Sequence, residues 1–171
     1  MRSWAIAILI YISIISFSVP PSFATQSDNN LPACIKNIDD LECFQKNFKE
    51  LFQTNNKLFW QHWRHHEAKA NSCSSLTFTA KFISLVKKCD GATAEVMAEF
   101  IENMILRDSA CLIGAAEKLE PDIMRHLIRY YIITPLYHEP SEILPIVEKE
   151  LQNKKYPKFN KMYTNIKNPK N

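Results

Sequence analysis

Three of the chain's five histidines crowd into one short segment, His62-Trp63-Arg64-His65-His66-Glu67. On a helix, His62 and His66 stand one turn apart on the same face, a spacing at which two imidazoles reach one zinc or copper ion. A third ligand has to come from elsewhere, with His126, His138 and Glu139 as the candidates. The zinc-protease pattern is not completed, because Ala70 stands where a histidine would have to follow His66-Glu67.

Cys111 offers a second kind of chemistry. It falls in the first turn of a predicted helix, where the positive dipole end and free backbone donors lower a thiol pKa. A nucleophile also needs a base, and His126 or His138 could reach it only through tertiary folding. For a cysteine exported to an oxidising compartment, a structural disulfide is the stronger expectation. The sequence contains no nucleophile elbow, phosphate loop or paired-carboxylate pattern, and its two glycines, Gly91 and Gly114, cannot furnish a phosphate-cradling loop. The chain is therefore expected to be non-enzymatic.

Two segments have the composition of contact surfaces. From Arg125 to Tyr131, and again from Pro135 to Pro140, aromatic and cationic side chains gather near a helix end. Tyr and Arg dominate interface hot spots. Leu127, Ile128 and Tyr131 fall on an inward stripe, which leaves Arg125, Arg129, Tyr130, Tyr137 and His138 for contact. The C-terminal tail interleaves Lys154, Lys155, Lys158 and Lys161 with Tyr156, Phe159 and Tyr163. Such a segment suits polyanions or an anionic membrane surface, each lysine near a charged bilayer contributing about 1 kcal/mol.

The elements that must position these residues are helical. No stretch alternates apolar and polar residues over strand length. Leu41, Phe44, Phe48, Leu51 and Phe52 follow helical spacing, with Asp39 and Asp40 placed to cap them. Phe59, Trp60, Trp63 and His66 continue the stripe after Thr54-Asn55-Asn56, a turn or kink. Phe78, Phe82, Leu85, Val86 and Cys89 mark the next helix, with Asp90-Gly91 expected to close it. Thr93 is placed to cap a helix carrying Val96, Met97, Phe100, Met104 and Ile105. Asp108 or Ser109 starts another with Leu112, Ala115, Ala116 and Leu119, and further helices begin at Pro121 and Pro140. Short connections make neighbours antiparallel. The fold class is all-α: a compact antiparallel bundle or short stack of helical hairpins, about six helices, stapled by disulfides.

The compartment follows from the N-terminus. Arg2, an apolar run from Trp4 to Val19, and Ser22-Phe23-Ala24 after two prolines are ordered as a cleavable secretory signal over residues 1–24. Removing 24 of 171 residues leaves 147, one domain's worth, with no second apolar run long enough to span a membrane. All five cysteines follow the cleavage point, so most should be paired. Cys73 and Cys89 bracket one helix and would stand about 24 Å apart, too far to bond. The up-and-down path instead brings Cys73 to Cys111. The second pair joins Cys89 to Cys34 or Cys43 if residues 39–70 form one helix, and Cys34 to Cys43 otherwise.

All eighteen acidic residues precede Leu151, whereas residues 152–171 hold six lysines and no acid. The expected organisation is an extended segment over 25–38, a helical domain over 39–151, and a basic disordered tail over 152–171. The functional expectation is an exported helical interaction protein whose partner is a protein or envelope component, with zinc or copper binding at His62 and His66 as the alternative. Nucleic acid is not an expected partner after export.

Overall fold

The computed structural model describes residues 32–169, and every regular element among them is helical. The leader expected over 1–24 lies outside the described residues. Helices start where side chains satisfy donors that a first turn leaves free. Asp40 opens α1 (Leu41–Lys46) by accepting the Cys43 N–H at 2.8 Å. After α2 (Phe48–Thr54), Asn55 opens α3 (Asn56–Asn71) by accepting from Leu58 at 3.1 Å. Ser75 does the same for α4 (Leu76–Ile83), accepting from Phe78 at 3.2 Å. Residues 39–70 are therefore not one helix. Breaks at Asn47 and Asn55 fold α2 against α3, and the aromatic stripe collapses on itself: Phe48 and Phe59 meet edge to face at 5.0 Å, and Trp63 meets Phe82 at 5.3 Å.

The longest element, α5 (Gly91–Ala116), is two helices joined at a kink. Asp108 leaves helical geometry (φ −153°, ψ 71°), and its carboxylate accepts the Cys111 N–H at 3.0 Å, the start expected near Asp108. Gly91 differs from expectation. It does not close the preceding helix, which ends in a 3-10 turn over Ser84–Lys87. It is instead the first residue of α5, at φ +46°, with the Thr93 hydroxyl accepting the Asp90 N–H at 2.9 Å. The buried face of α5 carries Met97, Ile101, Met104 and Ile105, against which α4 and α7 (Pro140–Leu151) pack. Between them, α6 (Pro121–Leu127) runs on into a π-helical turn, Ile128–Ile132.

Two expectations about the chain ends are corrected. The N-terminal segment is not extended throughout: Ala33–Lys36 forms a 3-10 turn, because Ile35 is buried in the core and Cys34 is tied to Cys43. The basic tail is not disordered: Pro157–Lys167 is a helix, α8, that packs on α6 with Phe159 and Tyr163 buried. Its amphipathic spacing, Phe159, Met162, Tyr163 and Ile166, gives it an apolar face to bury, and that outweighs the repulsion among its lysines. The all-α fold thus reaches eight α-helices among the described residues.

Disulfides join Cys34 to Cys43 and Cys73 to Cys111, with Cα atoms 6.0 and 6.1 Å apart. With residues 39–70 broken into three helices, the second pair is the one expected for that case. Cys73–Cys111 spans 38 residues, which the loop-entropy account values at about 4 kcal/mol. No helix among the described residues is long and apolar enough to cross a membrane.

Candidate functional site

The two histidines of the α3 cluster point inward. His62 is 1 % exposed and His66 0 %, with ring centroids 5.9 Å apart. Phe44 stacks on His62 at 5.5 Å and lies 5.4 Å from His66. His62 Nε2 donates to the Ile35 carbonyl at 2.9 Å, while its Nδ1 and both nitrogens of His66 meet no protein partner. Burial lowers the pKa of both rings, taking His66 down to about 4; His65, His62 and Lys69 push it the same way and Asp39 opposes them. The expected third metal ligands are not beside the pair. Where three ligand atoms do converge among the described residues, they belong to Cys73, Asp108 and Cys111, whose two sulfurs are bonded to each other.

An imidazole held neutral by burial makes the fold acid-sensitive. The folded pKa of His66 lies below the unfolded value of 6.5, so its contribution is intact above pH 6.5. It is lost as pH falls toward 4, where the unfolded chain takes up a proton that the folded one refuses. The difference amounts to about 3 kcal/mol. Urea denaturation at pH 7.5 and pH 4.5 should show this drop in the native protein. It should be reduced but not abolished in His66→Leu, because the buried His62 resists protonation in the same way.

Thiol chemistry has no free, ionisable group here. Cys111 is bonded to Cys73. Cys89 is the odd cysteine, and burial pushes its thiol up to about 12.

Glu102 organises the loop that carries Tyr137 and His138. Its fully buried carboxylate accepts the backbone N–H groups of Leu136 at 2.6 Å, Tyr137 at 3.0 Å and His138 at 2.9 Å. It also lies 2.9 Å from His138 Nδ1, which donates to it. His138 is thereby committed to holding its own loop. Tyr137 stays 52 % exposed, and Tyr130 56 % exposed with His126 against its ring at 4.7 Å.

The remaining sequence candidates separate at α8. Two carboxylates of the helical body dock this helix. Glu117 accepts the first-turn N–H groups of Lys158 and Phe159 at 3.0 and 2.8 Å, and Glu148 accepts the Tyr163 hydroxyl at 3.0 Å and pairs with Lys167. Free first-turn donors attract such anions. Docking closes a groove of about 460 Å³ between α8 and the start of α6. Leu119, Met124, Met162 and Ile166 give it an apolar lining, and Lys118, Arg125, Lys158 and Lys161 stand around it. Lys154 lies on shallower ground along the other side of α8, and Lys155 is exposed outside the groove. Arg129 is exposed on the π-helical turn and does not line the groove.

No protein-family model, curated protein or solved structure matches this chain.

Three of the nine expected contact residues, Arg125, Lys158 and Lys161, converge on one groove although more than thirty residues separate the first from the others. Residue type alone does not mark Glu117, Glu102 or Lys118 as site residues. Glu102 carries a visible signal, since it stands four residues after Ala98 and three before Ile105, both buried, on the face that packs inward. Glu117 and Lys118 carry none, because their roles depend on where α8 docks.

Proposed function

We propose that this chain is an exported, disulfide-stapled helical protein that acts by binding, and that the α6/α8 face is where it meets a protein or envelope partner. The observation that carries this reading is the docked tail: it turns dispersed cations into one surface beside an apolar groove. The signal-like leader and the two disulfides support export, since disulfides persist in oxidising compartments. The bonded state of Cys111 and the raised pKa of Cys89 support binding over thiol catalysis.

Site-specific photocrosslinking in the producing cells tests it. A benzophenone side chain at Asn165, in the groove, should give discrete adducts, while one at Lys57, on the exposed side of α3, should not. Equal labelling at both positions, or none at Asn165, would overturn the assignment of this face.

A further inference from the structure

Resting on the contact-face reading, we propose that the α6/α8 groove binds one single-chain anionic amphiphile, its hydrocarbon against Met124, Met162 and Ile166 and its head among Lys118, Arg125, Lys158 and Lys161. The groove combines two features that different ligands would use separately. Leu119 and Met124 form its buried apolar floor and Met162 and Ile166 are half-buried, so an alkyl chain would cover the surface that these last two still present to water. Methionines suit such a role because the flexible thioether adapts to a chain of variable shape. Four cations face one lining carboxylate, Glu120, a local reversal on a body whose acidic residues otherwise predominate.

Those four cations are also uncommitted. Among the described residues, Lys167 is paired with Glu148 and Lys87 with Asp122, but none of Lys118, Arg125, Lys158 and Lys161 has a carboxylate partner. Their alkyl stems can extend the apolar surface while the charged ends reach the rim. A neutral hydrocarbon would leave the cations unused, and a small anion would leave the lining wet. Its volume of about 460 Å³ falls within the usual range of small-ligand sites, about 300–1,000 Å³, and leaves room for one such chain.

The test titrates the intact oxidised protein, labelled at its methionine methyl groups, with dodecanoate below its micelle concentration. Met162 and Met124, which line the groove, should shift together with saturation at one ligand per chain, while Met97 and Met104, which do not line it, stay still. Dodecyl phosphate should bind as well, showing whether the head must be a carboxylate. Dodecan-1-ol should bind about tenfold more weakly, and acetate should not shift the methyls. The double variant Lys158→Glu/Lys161→Glu should lose about tenfold in affinity, whereas Lys154→Glu/Lys155→Glu, outside the groove, should not. Equal binding of the alcohol, unmoved Met124 and Met162, or an unaffected Lys158→Glu/Lys161→Glu would overturn the proposal. If Asn165 crosslinks discretely in cells while dodecanoate fails to bind, the ligand class is wrong and the contact face stands. An acidic peptide shifting the same methyls in place of dodecanoate would identify the other occupant.

Discussion

Replacing Phe159 by alanine should release α8 from the body of the protein. The ring is fully buried and lies 6.3 Å from that of Tyr163, which is itself buried. Truncating a buried phenylalanine costs about 3–5 kcal/mol, and an isolated three-turn helix has little stability of its own to offset the loss. What remains is the Tyr163 ring with its hydroxyl bond to Glu148, the half-buried Met162 and Ile166, the Glu117 bonds to two backbone amides and the half-exposed Lys167–Glu148 pair, so the docked population should fall sharply once the most deeply buried ring of α8 is lost. Brief trypsin treatment should then cut Phe159→Ala after Lys158 and Lys161 under conditions that leave the native protein whole. Residues 41–151 should keep their helical circular dichroism, since their core is built on α3, α4 and α5. Lys155→Ala, a solvent-exposed change near the same helix, should leave the cleavage rate unaltered. A Phe159→Ala protein as resistant as the parent would mean that docking does not depend on this side chain.

The other large effect is expected at Glu102. This carboxylate is completely buried on α5 and ties down three consecutive backbone amides and one imidazole of the 134–139 loop. Hydrogen bonds to a charged acceptor are worth about 1.5–3 kcal/mol each, and their loss strands donors in a partly buried loop. Allowing for water re-entering on the loop's exposed side, Glu102→Ala should cost about 4 kcal/mol in urea denaturation. Amide exchange at Leu136, Tyr137 and His138 should accelerate with it. Glu102→Gln keeps the volume but turns an NH₂ group toward backbone donors, so it should recover less than half of the loss. An alanine variant within about 0.5 kcal/mol of the parent would show that the loop stands without its buried anchor.

The helical architecture was legible because it is written locally. Asp40, Asn55 and Ser75 are capping residues directly before apolar periodicity, and the stripes they introduce are the buried ones. Helix length rules out Cys73 bonding to Cys89, and the up-and-down path of the chain brings Cys73 to Cys111. The tail misled because two local signals conflict there. Lysine, asparagine and proline argue for a solvated chain, while Pro157 followed by apolar residues at positions 159, 162, 163 and 166 argues for an amphipathic helix. The deciding partners, Glu117 about forty residues back and Glu148 on the preceding helix, become visible only in the fold. His62 and His66 show the converse. Their one-turn spacing puts both rings on one face of α3, but whether that face turns to solvent or to Phe44 depends on α1 folding back across α3, which periodicity does not encode.

The direct test of the docked tail is hydrogen exchange of the backbone amides from Lys161 to Lys167 in the unmodified, oxidised protein. Docking as described requires them to be protected well beyond an unstructured chain, with the amides near Tyr163 the slowest. Exchange at random-coil rates throughout that stretch would show a free tail, and the groove, its cationic rim and the contact face would go with it.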